Sequence, residues 1–167
     1  MSLTDDLAII ARQEATIQFS RFNEETAWQL GSRLRQMAVS RKFTLVIDVR
    51  KFGQPLFYSA LPGTSPDNPV WAQRKANTVA RFHRSSYRVG QELAERKTTL
   101  AEKYGLADAD YAAHGGSFPL MVTGAGIIGT ITVSGLPQRL DHELVVEVLC
   151  QHLGKDYASL ALPKPGG

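Results

Sequence analysis

The sequence predicts an α+β domain, an antiparallel sheet with helices packed on its faces. Two pairs of β-rich segments are each joined by only a few residues, too tightly for the crossover that a parallel pair requires. Segments with apolar residues at helical spacing lie before, between and after those pairs. The chain has 167 residues, the size of one ordinary domain. We expect one unit over residues 1–167, with its core at about 23–153 and a loose tail at 163–167.

The first helix is expected from Leu3 to about Ala15, with Thr4 as its cap and Asp5 and Asp6 at its positive end. Thr16–Phe22 alternates Ile17 and Phe19 and reads as a short extended piece. Asn23 then caps a helix to about Ser40, with Trp28, Leu30, Leu34, Met37 and Ala38 facing inward. Leu45–Val49 and Leu56–Ala60 form a hairpin around Lys51-Phe52-Gly53-Gln54. A Pro-rich loop leads to Asp67, read as the cap of a helix running from about Pro69 to Phe82. Ser85 or Ser86 caps a further helical stretch to about Lys97, and Thr98–His114 is partly helical. Ser117–Thr123 and Ile127–Ser134 are strands, and Gln138–Leu153 is the last helix, closed by Gly154.

Composition excludes several classes. Apolar residues make up 43% and charged residues 21%, which argues against a disordered chain. No apolar run approaches the roughly 18 residues of a membrane span, and the acidic start is unlike a secretion signal. One cysteine, Cys150, allows no internal disulfide, so a cytoplasmic protein that binds no membrane is expected. A net charge of +3 is too small for indiscriminate nucleic-acid binding.

Several motifs fail on context. Gly124-Ala125-Gly126-Ile127-Ile128-Gly129 fits the dinucleotide pattern, but a strand follows where a helix N-terminus must receive the pyrophosphate. We read it as a hairpin turn. His142-Glu143 opens like a zinc-protease helix, yet Val146 stands in the second histidine's place, and no metal site is expected. Ser117 follows two glycines without a nucleophile elbow, so a hydrolase has little support. Cys150 reads as a buried apolar side chain.

Charge distribution is more informative. From Asn68 to Gln91 there is no acidic residue, while Arg74, Lys75, Arg81, Arg84 and Arg88 supply five positive charges. That exceeds the whole chain's net charge, so an anion site is sought there. Lys75 lies three or four residues from Trp71, Ala72, Val79 and Phe82, which places it on or beside the packed face. A lysine there must be paired, reach solvent or lose its proton. His114-Gly115-Gly116-Ser117 joins a flexible turn to a strand, where backbone can approach a ligand closely.

Taken together, Leu45–Val49, the Lys51–Gln54 turn, Arg74-Lys75-Ala76, Gly116-Ser117-Phe118-Pro119-Leu120 and Gly126–Gly135 resemble the haem-degrading domain family, with its GlcG-type and HbpS-type proteins. Asn68–Lys75, Phe82–Ser86 and His114–Pro119 are most similar to an uncharacterised bacterial and fungal branch of it. The resemblance implies a profilin-like, GlcG-like antiparallel sheet of five strands with helices on its faces, assembled into homo-oligomers. Thr16–Phe22 is the candidate fifth strand. It also implies a ligand cleft near the lysine-bearing helix and the Gly116-Ser117 strand, with Lys75 matching the family's lysine-alanine pair.

The expected function is binding of a small anionic molecule, haem among the candidates, in a basic cleft at Lys75, His83, Arg84, His114, Gly116 and Ser117. With haem, the propionates would seek the stripe of Arg74, Arg81, Arg84 and Arg88, and His114 or His83 would meet the iron. Catalytic residues, if the chain is an enzyme, are not identifiable. The alternative is a non-enzymatic homo-oligomeric interaction module whose Arg81, Arg84 and Arg88 meet an acidic partner or a neighbouring subunit.

Overall fold

The computed structural model describes residues 2–164. Its elements in order are α1 (Leu3–Thr16), α2 (Glu24–Ser40), β1 (Val46–Lys51), β2 (Gln54–Ala60), α3 (Asp67–Phe82), α4 (Ser86–Glu95), α5 (Leu100–Tyr104), β3 (Ser117–Val122), β4 (Gly126–Ser134), α6 (Gln138–Leu153) and α7 (Tyr157–Leu160).

Capping explains the boundaries, with two corrections. Ser2, not Thr4, caps α1: its hydroxyl accepts from the Asp5 backbone N–H, and the Asp5 carboxylate accepts from the Ser2 N–H in return. α3 starts at Asp67 itself, with Pro66 in the cap position and no side-chain cap bond. Asn23, Ser85 and Gly154 occupy the cap positions expected of them.

The sheet is antiparallel throughout, in the order β2-β1-β4-β3. It has four strands, not five. In Thr16–Phe22 only Phe19 bridges to Val122, and its N–H and carbonyl are both used there. Asn23 opens α2 before a second bridge can form.

Alternation along the strands divides the sheet into two unlike faces. Ile47, Val49, Phe118, Leu120, Ile131 and Val133 point to α2 and α6 and build the main core with Leu30, Leu34, Val145 and Leu149. The reverse face carries Asp48, Ser117, Thr130, Thr132 and Ser134, buried beneath α3. Asp48, Thr132 and Ser117 lie side by side across three strands. Thr132 donates to the Ser117 hydroxyl at 2.8 Å, and Arg50 joins Asp48 (2.6 Å) to Gln73 of α3 (2.8 Å). α3 therefore sits on a polar floor, to which Gln73 connects through Arg50 and Lys75 through Ser134, while the Thr130 hydroxyl is buried without a hydrogen-bond partner.

Trp28 is not inward-facing. The buried stripe of α2 is Ala27, Leu30, Gly31, Leu34 and Ala38, which leaves Trp28 59% exposed.

Residues 159–163 lie against α1 and α6. Arg12 donates to the Ser159 carbonyl (2.6 Å), and Gln13 to that of Leu160 (2.9 Å). Glu143 of α6 accepts from the Leu162 N–H (2.6 Å), and Arg139 links Asp6 (2.7 Å) to the Pro163 carbonyl (2.7 Å). Of the tail expected to be loose, residues 165–167 lie outside the described residues. No described helix is long and apolar enough to cross a membrane.

Candidate functional site

Lys75 is 3% exposed and points from α3 onto the end of β4. Its ammonium donates to Asp141 Oδ2 (3.0 Å), the Val133 carbonyl (3.3 Å) and Ser134 Oγ (3.3 Å). Three protons thus have three acceptors. Asp141, in the first turn of α6, also accepts from the Leu136 and Gly135 N–H groups, at 3.0 and 3.3 Å. Burial pushes the Lys75 amine down and the Asp141 carboxyl up, and their contact opposes both shifts. The pair fastens α3, β4 and α6 together, and one wall of a polar concavity of about 310 Å³ rests on it. Asp67, Asn68, Trp71, His114 and Gln138 also line it.

His114 is the hinge of the site. Its loop is held on both sides: the Ala112 N–H donates to the Arg74 carbonyl (3.2 Å), Thr78 donates to the Ala112 carbonyl (2.9 Å), and the Gly115 N–H donates to Gln138 (3.1 Å). A side chain at Gly115 would overlap the Gln138 carbonyl. At Gly116 (φ 138°) one would overlap the Val133 carbonyl and crowd the Lys75 ammonium. The loop is therefore seated tightly, and the exposed His114 ring stands edge-on to Trp71, 5.3 Å between centroids. Partial desolvation, then the charges of Lys75 and Arg74, lower its pKa, so the neutral imidazole prevails at pH 7.

Beyond His114 lies a second concavity of about 450 Å³, lined by Leu93, Leu100, Tyr111 and Ala113 together with Arg74, Thr98 and Asp108. Arg74 stacks its guanidinium over Trp71 at 4.4 Å, and its Nε is buried without a hydrogen-bond partner. His114 is the shared wall of a polar and a largely apolar hollow.

The structure brings together Lys75, His114 and Gly116 and separates the other candidates from them. Ser117 is fully buried under α3 and hydrogen-bonded to Thr132 and Ser86. His83 ends α3 in the left-handed conformation, about 12 Å along the helix from Lys75, and stacks on Phe52 of the β1–β2 turn. Arg84 pairs with Glu92 at 3.3 Å, while Arg88 bridges Glu14 and Glu92 at 3.0 Å each. The positive stretch thus meets acids from outside it. Only Arg74 and Arg81 of its five cations have no acidic partner among the described residues. Arg74, not Arg84, joins Lys75 as a cation beside His114. Its signal in the sequence was its place one residue before Lys75, close to Trp71.

A four-stranded antiparallel sheet between helices, with clefts on the side of the lysine-bearing helix, defines an α+β protein with the fold of the solved HbpS and of Klebsiella pneumoniae ORFY. The chain belongs to the family described as haem degrading protein HbpS-like, whose profile matches residues 22–150. It is 62% identical over 164 residues to a UPF0303 protein of Acidobacterium capsulatum, covering 98% of this chain and 99% of that one. It is 58% identical over 164 residues to one of Paraburkholderia phymatum, with the same coverage. Among solved structures, Ybr137w superposes with a TM-score of 0.83 at 28% identity, over 89% of this chain and 87% of that one. The PduOC:haem complex superposes with a TM-score of 0.66 at 15% identity, over 78% and 94%, a likeness of fold.

Proposed function

We propose that the chain binds a flat, partly apolar anionic small molecule of the haem class, seated against His114 with its body in the apolar hollow and its acidic groups toward Arg74. The observation that carries this reading is the placement of His114. A neutral imidazole on a tightly seated loop stands between an apolar wall and a guanidinium with no acid of its own. The residues fit haem: an imidazole for iron, a cation for a propionate, and Leu93, Leu100 and Tyr111 for the ring. When bound, the iron would supply the oxygen chemistry, and this chain's part would be to hold and orient the ring. Lys75 supports the site from below through Asp141 and has no free proton to offer a ligand. A PduOC protein of the same fold has been solved with haem, which adds weight to the choice.

Titration with hemin tests the reading. The expected result is a shifted Soret band that is lost in His114→Ala, weakened in Arg74→Ala and kept in His83→Ala. A spectrum unchanged by hemin, or a shift indifferent to His114→Ala and Arg74→Ala, would overturn it.

A further inference from the structure

The buried apolar residues of α4 sit in two small clusters set apart from the main core. Tyr87 packs with Ile10 of α1 and with Leu162, and Val89 and Leu93 pack with Leu100. The first turn of α4 is tied to the sheet, where Ser86 accepts from the Ser117 N–H (3.1 Å) and donates to the Ser117 carbonyl (3.4 Å). Its far half carries Gly90, Leu93 and Ala94 into the wall of the apolar hollow beside His114. On either side of the helix the backbone turns at a residue in the left-handed region, His83 (φ 56°) and Lys97 (φ 54°), a conformation that a Cβ disfavours.

From behind, α1 fastens this helix. Glu14 accepts from the Ser85 hydroxyl and from Arg88, at 3.0 Å each. Toward the far end of α4 the tie weakens to an exposed Thr4–Glu95 contact at 3.4 Å. α1 is held in turn by residues 159–163, through Arg12 and Gln13. Both segments lie outside residues 22–150, the stretch that the family profile matches.

We infer that α4 is a flap on the apolar hollow: it swings on its Ser86 end, α1 latches it through Glu14, and release of the latch widens the hollow for the ligand. The inference rests on reading that hollow as the ligand site. Opening breaks one small cluster and leaves the main core intact, which is the kind of local transition that lies well below global unfolding in free energy. It also frees Lys97 from its left-handed turn. A flat apolar ligand that touches Leu93 and Leu100 covers the surface that opening exposes, so its binding favours reclosure. Gly90 makes the closed position exact, because a Cβ there would overlap the Ala113 carbonyl of the His114 loop.

Hydrogen exchange of the ligand-free full chain, read by mass spectrometry, tests the motion, and stopped-flow association with hemin tests its role. The slowest amides of α4 should exchange at least about tenfold faster than those of α6, which lies in the main core. Glu14→Gln and Arg88→Met should each raise the α4 rate by roughly another tenfold, the effect of losing a charge-assisted hydrogen bond, and leave α6 unchanged. Hemin association should quicken in the same two variants. Lys97→Gly should act in the opposite direction and slow α4 exchange about threefold, since glycine accepts the left-handed turn without a Cβ. Exchange of α4 no faster than that of α6, or latch variants that speed both helices equally, would overturn the flap. Quicker α4 exchange with unchanged hemin association would overturn its part in ligand entry. If hemin does not bind at all, the reading of the hollow falls, and the exchange rates alone decide for or against a moving α4.

Discussion

Replacing Lys75 by Met should destabilise the chain by about 3–5 kcal/mol, because it leaves the Asp141 carboxylate buried without its cation. At roughly 2–4 °C per kcal/mol for a chain of this size, the melting temperature falls on the order of 10 °C. The backbone N–H groups of Gly135 and Leu136 still hold Asp141, which keeps the loss within that range. Adding Asp141→Leu removes the stranded charge and should restore about 2 kcal/mol. Recovery stays incomplete because those two N–H groups then lose their acceptor, at about 1 kcal/mol each. The single variant should also have a distinctive pH dependence. Its Asp141 carboxyl titrates above the unfolded value of about 3.9, so the native state binds more protons and the deficit shrinks as the pH falls from 8 toward 5. Urea unfolding of the wild type, the single variant and the double variant at several pH values measures every quantity involved. A loss below about 1 kcal/mol in Lys75→Met, or a double variant no more stable than the single, would refute the view that this pair is a buried fastening.

Three further outcomes follow from the same packing. His142 is fully buried and its pKa is depressed to about 3, so the unfolded chain takes up a proton that the native state refuses. Stability should fall by up to about 1.4 kcal/mol per pH unit on acidification from about 6.5 toward 3 through this group, and urea unfolding of His142→Asn should show a slope shallower by that amount. Gly90→Ala pushes a methyl into the Ala113 carbonyl; it should cost about 1–3 kcal/mol and lower hemin affinity by displacing the His114 loop, both measurable on one sample. Cys150 is buried and its thiol is pushed up to about 11, so Ellman's reagent should leave it untouched in native buffer and label it at the rate of unfolding in urea.

Local signals were legible where punctuation is local. Gln138–Leu153 is bounded by Pro137 and Gly154, and its observed limits match the expected ones. The tight turns of both hairpins likewise fix their pairings. Trp28 was misplaced because helical spacing gives a stripe but not its centre. Ala27 and Gly31 hold the centre, and neither reads as strongly apolar. That Lys75 belongs to the packed face follows from its neighbours three and four residues away, but Asp141 lies 66 residues on and only the fold joins them. The same holds for the basic stretch. Its arginines looked free because their acids, Glu14 and Glu92, stand outside it, and the stripe itself breaks where His83 turns the chain out of α3.

α1 is held from two directions: Glu14 accepts from Ser85 and Arg88 of the α4 end, while Arg12 and Gln13 donate to the Ser159 and Leu160 carbonyls. Asp6 and the Pro163 carbonyl share one guanidinium, so the two ends of the described fold lie side by side, and a chain rejoined there and opened at the Gly105–Asp110 bend would keep every strand pairing.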